Sequence, residues 1–275
     1  MPKGKQNEAC AALNQIECFV FDMDGTINLG NVLIDGAREL IDCLKEQKRA
    51  FYFFTNNSSK APLDYVAKLE RLGFTGITRE HIMTSGDVMI HYLKTLMQKP
   101  AVYLAGTPEL EKQFADAGIT LLPGTVEKAD YVVLGFDTTF DFEKADSLCR
   151  LIAGGAKFLA TNIDKVCPLE GNRFWPDCGS MCRMITHATG VEPEFVGKPF
   201  KHTVDFILDK TGAARSKTAI VGDRLYTDIK TAAVGGIIGI AVLSGEVTYE
   251  EILASEDVQP DYILDSVADI LRALK

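Results

Sequence analysis

The feature that most constrains the fold is a recurrence of short apolar runs with almost no polar interruption. They lie at residues 16–22, 50–55, 101–105, 131–135, 157–161, 218–221, 237–242 and 262–264. A strand with one wet face alternates apolar and polar side chains, whereas a strand covered on both faces reads as a continuous apolar run. Between many of these runs, apolar residues fall at helical spacing, at 36–47, 63–72, 143–152, 203–211 and 228–234. Strands buried on both faces and alternating with helices predict an α/β fold on a doubly wound parallel sheet. Ligands of such sheets collect at the carboxyl ends of the strands, so the residues just after each run carry the functional information.

Composition narrows the class. Among 275 residues, 38 acidic against 29 basic side chains give a net charge of −9. With no basic stripe, a nucleic acid polymer is not an expected partner. The longest apolar run, 232–243, has 12 residues including three glycines, short of the ~20 needed to cross a bilayer. A membrane is therefore not an expected partner either. The first residues, interrupted by Glu8 and Asn14, do not read as a secretory leader. Seven cysteines without regular spacing predict free thiols and a cytoplasmic location. Turn-rich breaks near 83–86 and 189–193 divide the chain. They predict a discontinuous domain of residues 1–82 and 192–275, interrupted by an inserted domain of residues 83–191.

The strongest local signal is Asp22-Met-Asp24-Gly25-Thr26, directly after the first run. In extended backbone residues i and i+2 face the same side, about 6–7 Å apart at Cα, so two carboxylates can share one pocket. Two similar acids can be given different roles by their surroundings, one attacking and one moving a proton. The second run ends in Thr55-Asn56-Asn57-Ser58-Ser59, a set of hydroxyls, amides and backbone N–H groups suited to an anion. Val196-Gly197-Lys198-Pro199 adds a point charge suited to a phosphate. Val221-Gly222-Asp223 and Asp228 add two more acids. Taken singly, these segments also read as an Asp-Gly turn, a helix cap and a loop lysine. Together they are more telling, because four acids converging on one site repel one another unless a cation sits among them. Mg²⁺, which binds through a few carboxylates and a substrate phosphate, fits that requirement.

In this order, Asp22-Met-Asp24-Gly-Thr26, Thr55, Lys198 and Gly222-Asp223 with Asp228 resemble the four motifs of the haloacid dehalogenase (HAD) superfamily. Phe54-Thr-Asn-Asn-Ser58, Val196-Gly-Lys-Pro199, Gly222-Asp-Arg-Leu-Tyr-Thr-Asp-Ile229 and Leu243-Ser-Gly-Glu246 are similar to its NagD / para-nitrophenyl phosphatase branch. The resemblance implies a Rossmann-like core with an inserted α/β cap of the C2 type. It also implies a Mg²⁺-dependent phosphatase working through an aspartyl-phosphate. By that resemblance Asp22 is the nucleophile and a metal ligand. Asp24 is the acid and base, with its backbone carbonyl on the metal. Thr55, Lys198 and backbone N–H groups near Asn56 hold the phosphoryl group. Asp223 completes the metal ligands and Asp228 supports it.

Relatives with other chemistry differ at telling places. Dehalogenases of the superfamily lack an acid two residues after the nucleophile, and its ion pumps carry Thr there. Asp24 and Thr55 are only 31 positions apart, too close for the helical cap usual in sugar-phosphate mutases. The expected partner is a small phosphorylated metabolite. A phospho-acceptor switch and a non-catalytic phosphate-binding protein stand as the alternatives. Caps of this type often dimerise in the family, and the sequence leaves the oligomeric state open.

Within the insertion, Thr161-Asn162-Ile-Asp164 is similar to a Thr-Asn-x-Asp stretch of family caps, which implies that Asn162 and Asp164 touch the leaving group. The segment 171–179 is a second candidate contact loop. Trp175 could stack on a substrate ring, but packing within the cap is the stronger expectation, and Met181 and Met184, at helical spacing, are expected to pack as well. Cys167, Cys178, Cys182 and His187 are not expected to converge on zinc, because His187 would sit about 140° around a helix from Cys182.

Overall fold

The computed structural model describes residues 12–169, 171 and 173–275. Glu8 and Asn172 therefore lie outside the described residues. The strands are β1 (Cys18–Asp22), β2 (Asn28–Leu29), β3 (Val32–Leu33), β4 (Ala50–Thr55), β5 (Ile82–Thr84), β6 (Ala101–Ala105), β7 (Thr120–Leu121) and β8 (Tyr131–Leu134). They continue with β9 (Lys157–Ala160), β10 (Val166–Leu169), β11 (Arg173–Pro176), β12 (Glu194–Phe195), β13 (Thr218–Gly222), β14 (Ile238–Val242) and β15 (Tyr262–Leu264).

Two compact units result. One contains the described chain from residue 12 to Phe54, then Val66–Met83 and Val204–Lys275; the other contains Thr55–Tyr65 and Thr84–Thr203. The breaks fall close to 83 and 203, and the short segment after β4 groups with the insertion. The first unit is built on a six-stranded sheet in the order β15-β14-β13-β1-β4-β5, in which the pairs from β15 through to β4 are all parallel. The second holds a parallel sheet in the order β12-β9-β8-β6-β7. Both are helix-flanked α/β sheets, as the apolar runs require.

The first run shows why the pattern was readable. Cys18, Phe19, Val20 and Phe21 of β1 are all inaccessible to solvent, as expected of a strand covered on both faces. Phe19 stacks on Phe21 at 5.8 Å, and Phe21 meets Phe53 of β4 at 6.5 Å. Each such fully buried ring contributes about 1.5–3 kcal/mol by area alone, and Phe21→Ala would cost about 3–5 kcal/mol once the cavity is counted. The helix Ala37–Glu46 buries Ala37, Leu40, Ile41 and Leu44, the i, i+3, i+4, i+7 stripe of an amphipathic helix.

Other segments differ from the sequence reading. Residues 83–86, read as a turn-rich break, are the end of β5 and the start of the helix Ser85–Leu96. Thr84 accepts from the Asp87 N–H while the Asp87 carboxylate accepts from the Thr84 N–H, a reciprocal capping box. The expected helix at 228–234 begins instead with a π turn over Leu225–Ile229 and continues as an α-helix over Lys230–Gly235. Two antiparallel hairpins, β2–β3 and β10–β11, have strands of two to four residues, too short to leave a periodic signal. Among the described residues, no helix is long and apolar enough to cross a membrane.

Candidate active site

In the first unit the acids gather at the carboxyl ends of the two central strands. β1 ends at Asp22 and β13 at Gly222, with Phe21 paired to Val221 in register. One carboxylate oxygen from each of Asp22, Asp223 and Asp228 lies within 4.8 Å of the others. Asp223 and Asp228 are buried, and Asp22 is half-buried. Asp228, expected beside the ligands, thus has an oxygen in the same cluster as they do. The π turn puts it there: its backbone N–H bonds the Arg224 carbonyl, and its Oδ2 accepts from the Arg224 N–H at 3.2 Å. Such turns recur at functional sites because they re-aim a side chain.

Glycines make room for the cluster. A Cβ on Gly25 would come within 2.1 Å of Asp223 Oδ2, and one on Gly245 within 2.0 Å. Gly25 also has φ +96°, which other residues adopt only under strain. The Ser244-Gly-Glu246 segment closes over the same carboxylate. The Glu246 N–H donates to Asp223 Oδ2 at 2.8 Å, and the Ser244 hydroxyl donates to the Gly25 carbonyl at 2.7 Å. Arg224 Nε bonds Glu246 at 2.8 Å.

Asp24 stands apart from the trio. Its Oδ1 accepts from Asn28 Nδ2 at 2.6 Å and from Lys68 Nζ at 3.0 Å. Neither Asn28 nor Lys68 was found from the sequence. Asn28 lies on the two-residue strand β2, and Lys68 reads there as one of several helix-surface lysines.

In the second unit the predicted residues form a hydrogen-bonded network. The Asn56 amide donates to Asp164 Oδ2 at 2.7 Å and to the Lys198 carbonyl at 3.0 Å, and its oxygen accepts from the Lys198 N–H at 2.9 Å. The Thr55 hydroxyl accepts from the Asn57 N–H at 3.2 Å. Asn162 is fully buried. It donates to Asp164 Oδ2 and Asp177 Oδ1, both at 3.0 Å, and accepts from the Thr161 hydroxyl at 2.9 Å. Asp177 in turn caps the helix Cys178–Thr189. Both amide hydrogens of Asn162 are thus engaged, one of them on Asp164. Asp164 is 3% exposed and Lys198 2%. Gly197 lets the strand end pass close, since a Cβ there would come within 2.3 Å of the Thr161 carbonyl.

Trp175 does not pack inside the second unit. It is 47% exposed on β11 and, with Phe136, Phe140, Met181 and Met184, lines a pocket of about 720 Å³. Met181 packs against the core, whereas Met184 is half exposed. Cys178 and Cys182 sit one helical turn apart with sulfurs at 3.9 Å, and a hydrogen bond between them together with burial pushes the Cys182 thiol up.

The family of haloacid dehalogenase-like hydrolases matches residues 19–120, and the related HAD-hydrolase-like family matches residues 195–270. The chain belongs to the HAD superfamily. A 4-nitrophenylphosphatase from Thermotoga maritima is 37% identical and superposes with a TM-score of 0.90 over 96% of this chain and 99% of that one. Phosphoglycolate phosphatase 1A of Arabidopsis thaliana is 34% identical over 94% of this chain and 77% of its own length. A glycerol phosphate phosphatase from Mycobacterium tuberculosis, solved in complex with magnesium, is 29% identical with a TM-score of 0.84, over 94% of this chain and 77% of that one. The chain is therefore a phosphoric monoester hydrolase of the NagD / para-nitrophenyl phosphatase branch, with a Rossmann-like core and an inserted cap.

The donor set tests whether a cation belongs here. Three carboxylates with oxygens inside 4.8 Å, two of them buried, repel strongly in a medium of low polarity. Hard oxygen donors, concentrated and backed by a glycine cradle, fit Mg²⁺.

Proposed function

We propose that the protein is a Mg²⁺-dependent phosphatase of small phosphomonoesters that works through an aspartyl-phosphate on Asp22. The observation that carries the reading is the Asp22–Asp223–Asp228 cluster at the carboxyl ends of β1 and β13. Asp22, Asp223 and the backbone carbonyl of Asp24 would hold the ion, with Asp228 beside them. When bound, it supplies neutralising charge for the phosphoryl group and for the crowded carboxylates.

The remaining steps belong to the chain's own residues. An Asp22 carboxylate oxygen attacks phosphorus, the bond from phosphorus to the ester oxygen breaks, and that oxygen takes a proton from Asp24. Water then attacks phosphorus and gives its proton back to Asp24, and the bond from Asp22 to phosphorus breaks to release phosphate. Thr55, Lys198 and backbone N–H groups near Asn56 hold the phosphoryl group, a role supported by the order of the motifs along the chain. Holding a loose transition state in a field of fixed charges supplies most of the acceleration in reactions of this type. Asn162 and Asp164, fixed in the network around Asn56, keep those phosphate-binding residues in place. The substrate is a compact phosphomonoester, in line with the small esters after which the relatives are named.

The test is phosphate release from para-nitrophenyl phosphate with Mg²⁺, with a chelator, and with Asp22→Asn. Multiple turnovers that need both the ion and Asp22 are expected. A folded protein that instead accumulates a long-lived phosphorylated Asp22 is a switch, and one that neither turns over nor labels is a binding protein.

A further inference from the structure

Asp24 is anchored through one oxygen only. Asn28 Nδ2, at 2.6 Å, and Lys68 Nζ, at 3.0 Å, both donate to Oδ1, and no hydrogen bond from a described residue reaches Oδ2. Asn28 is fully buried and cannot be turned over, because its Nδ2 also donates to the Gly30 carbonyl at 2.9 Å, so both neighbours require the amide nitrogen. The backbone backs this arrangement: the Gly25 N–H donates to the Asn28 carbonyl at 2.7 Å, and Asp24 and Asn28 form an isolated β-bridge. Lys68 reaches in from the helix Pro62–Arg71 with a side chain only 18% exposed, although Asp24 itself is 57% exposed. An ion pair this open adds little to stability, so its use must be sought elsewhere.

We infer that Asn28 and Lys68 are positioning residues that clamp Asp24 by Oδ1 and leave Oδ2 as the reacting oxygen. The inference rests on the phosphatase reading above. Two donors on Oδ1 exclude a proton from that atom, so a proton carried by Asp24 sits on Oδ2. From there it passes to the ester oxygen as the bond to phosphorus breaks, and Oδ2 takes one back from water in the second step. The logic is that of a general base oriented by a third group. Asn28 sets the angle of the carboxylate from a rigid buried site, and Lys68 supplies the stronger, charge-assisted bond.

The test compares Lys68→Met and Lys68→Arg on two substrates in saturating Mg²⁺. An alkyl phosphate such as glycerol phosphate leaves as a poor anion and needs the proton, whereas para-nitrophenolate departs without one. Lys68→Met should lower kcat about 30-fold on the alkyl ester and no more than about 3-fold on the nitrophenyl ester, within the range that general acid catalysis commands. KM should stay within about twofold on both, because the lost interaction aims a catalytic group and does not bind substrate. Lys68→Arg should restore most of the loss. Equal losses on the two esters, or no rescue by arginine, would overturn the clamp while leaving the phosphatase standing. Wild-type protein that turns over neither ester refutes the phosphatase reading, and the clamp with it. Asn28→Ala should repeat the Lys68→Met pattern; its melting temperature is read alongside, since a buried residue can also fail through folding.

Discussion

The carboxylate cluster of the first unit and the amide network of the second are built from the same residue types and are balanced in opposite ways. Around Asn162 amide and hydroxyl donors are matched to carboxylate and amide acceptors. Its amide nitrogen serves Asp164 and Asp177, its oxygen takes the Thr161 hydroxyl, and Asn56 adds a second donor to Asp164. Around Asp223 one oxygen from each of three acids lies within 4.8 Å of the others, and Gly25 and Gly245 leave room beside that carboxylate. A hydrogen-bonded buried network stiffens its surroundings, whereas carboxylates gathered this closely raise one another's energy and favour a bound cation. The first has the make-up of a scaffold and the second that of a cation site.

That contrast is broken most sharply at Asp22. Asp22→Asn removes the nucleophile and one of the crowded charges at once. Turnover of para-nitrophenyl phosphate should fall by about three orders of magnitude or more, while the melting temperature in chelator should hold or rise. A variant that loses activity and stability together would place Asp22 in the scaffolding class. The metal arm is next in size. Asp223→Asn should raise the Mg²⁺ concentration for half-maximal activity about 10- to 100-fold. The wild type should gain about 2.7 kcal/mol of stability from Mg²⁺ at 100 times its dissociation constant. A wild-type melting temperature indifferent to Mg²⁺ would mean that the cluster binds no ion.

Asn162→Ala probes the opposite side of the comparison. Asp164 and Asp177 each lose a donor in a buried site, which costs about 1–3 kcal/mol. Differential scanning calorimetry should show the loss whether or not Mg²⁺ is present. A change in substrate preference with unchanged stability would instead make Asn162 a ligand contact.

The fold was legible because burial on both faces writes itself into composition. The runs at 50–55, 101–105 and 262–264 coincide with β4, β6 and β15. What was lost had no period to show. β2 and β12 are two residues long, and the helix Ser85–Leu96 was hidden by a Gly at its second position. The Thr84–Asp87 capping box was in plain view and was the missed signal. At the site, Asp22 and Asp223 were readable because they stand at the ends of apolar runs, and Asp228 because it lies in the motif that follows the second of them. Asn28 and Lys68 were not, since their bond to Asp24 depends on a loop and a helix meeting in space, 4 and 44 residues away along the chain. Asn162 was found through a family likeness, and its burial and its bonds to Asp164 and Asp177 were not legible in the sequence.

Trp175 gives the smallest effect and the most direct check on where the second unit keeps its core. Read from composition, the only tryptophan of the chain belongs inside. It stands instead on a two-stranded antiparallel ribbon beside the still more exposed Phe174, where strand pairing and not packing holds it. The core of that unit is supplied by Phe136, Leu148, Phe158 and their neighbours around β8 and β9. Truncating a buried aromatic costs about 3–5 kcal/mol. A ring that keeps nearly half its surface wet forfeits much less, so Trp175→Ala should shift the unfolding free energy by about 1 kcal/mol or less. Chemical denaturation followed by far-ultraviolet circular dichroism measures this without relying on the lost fluorophore. A loss of the full buried-aromatic size would show that the pocket beside Trp175 closes on the ring in solution and that the hairpin is part of the core.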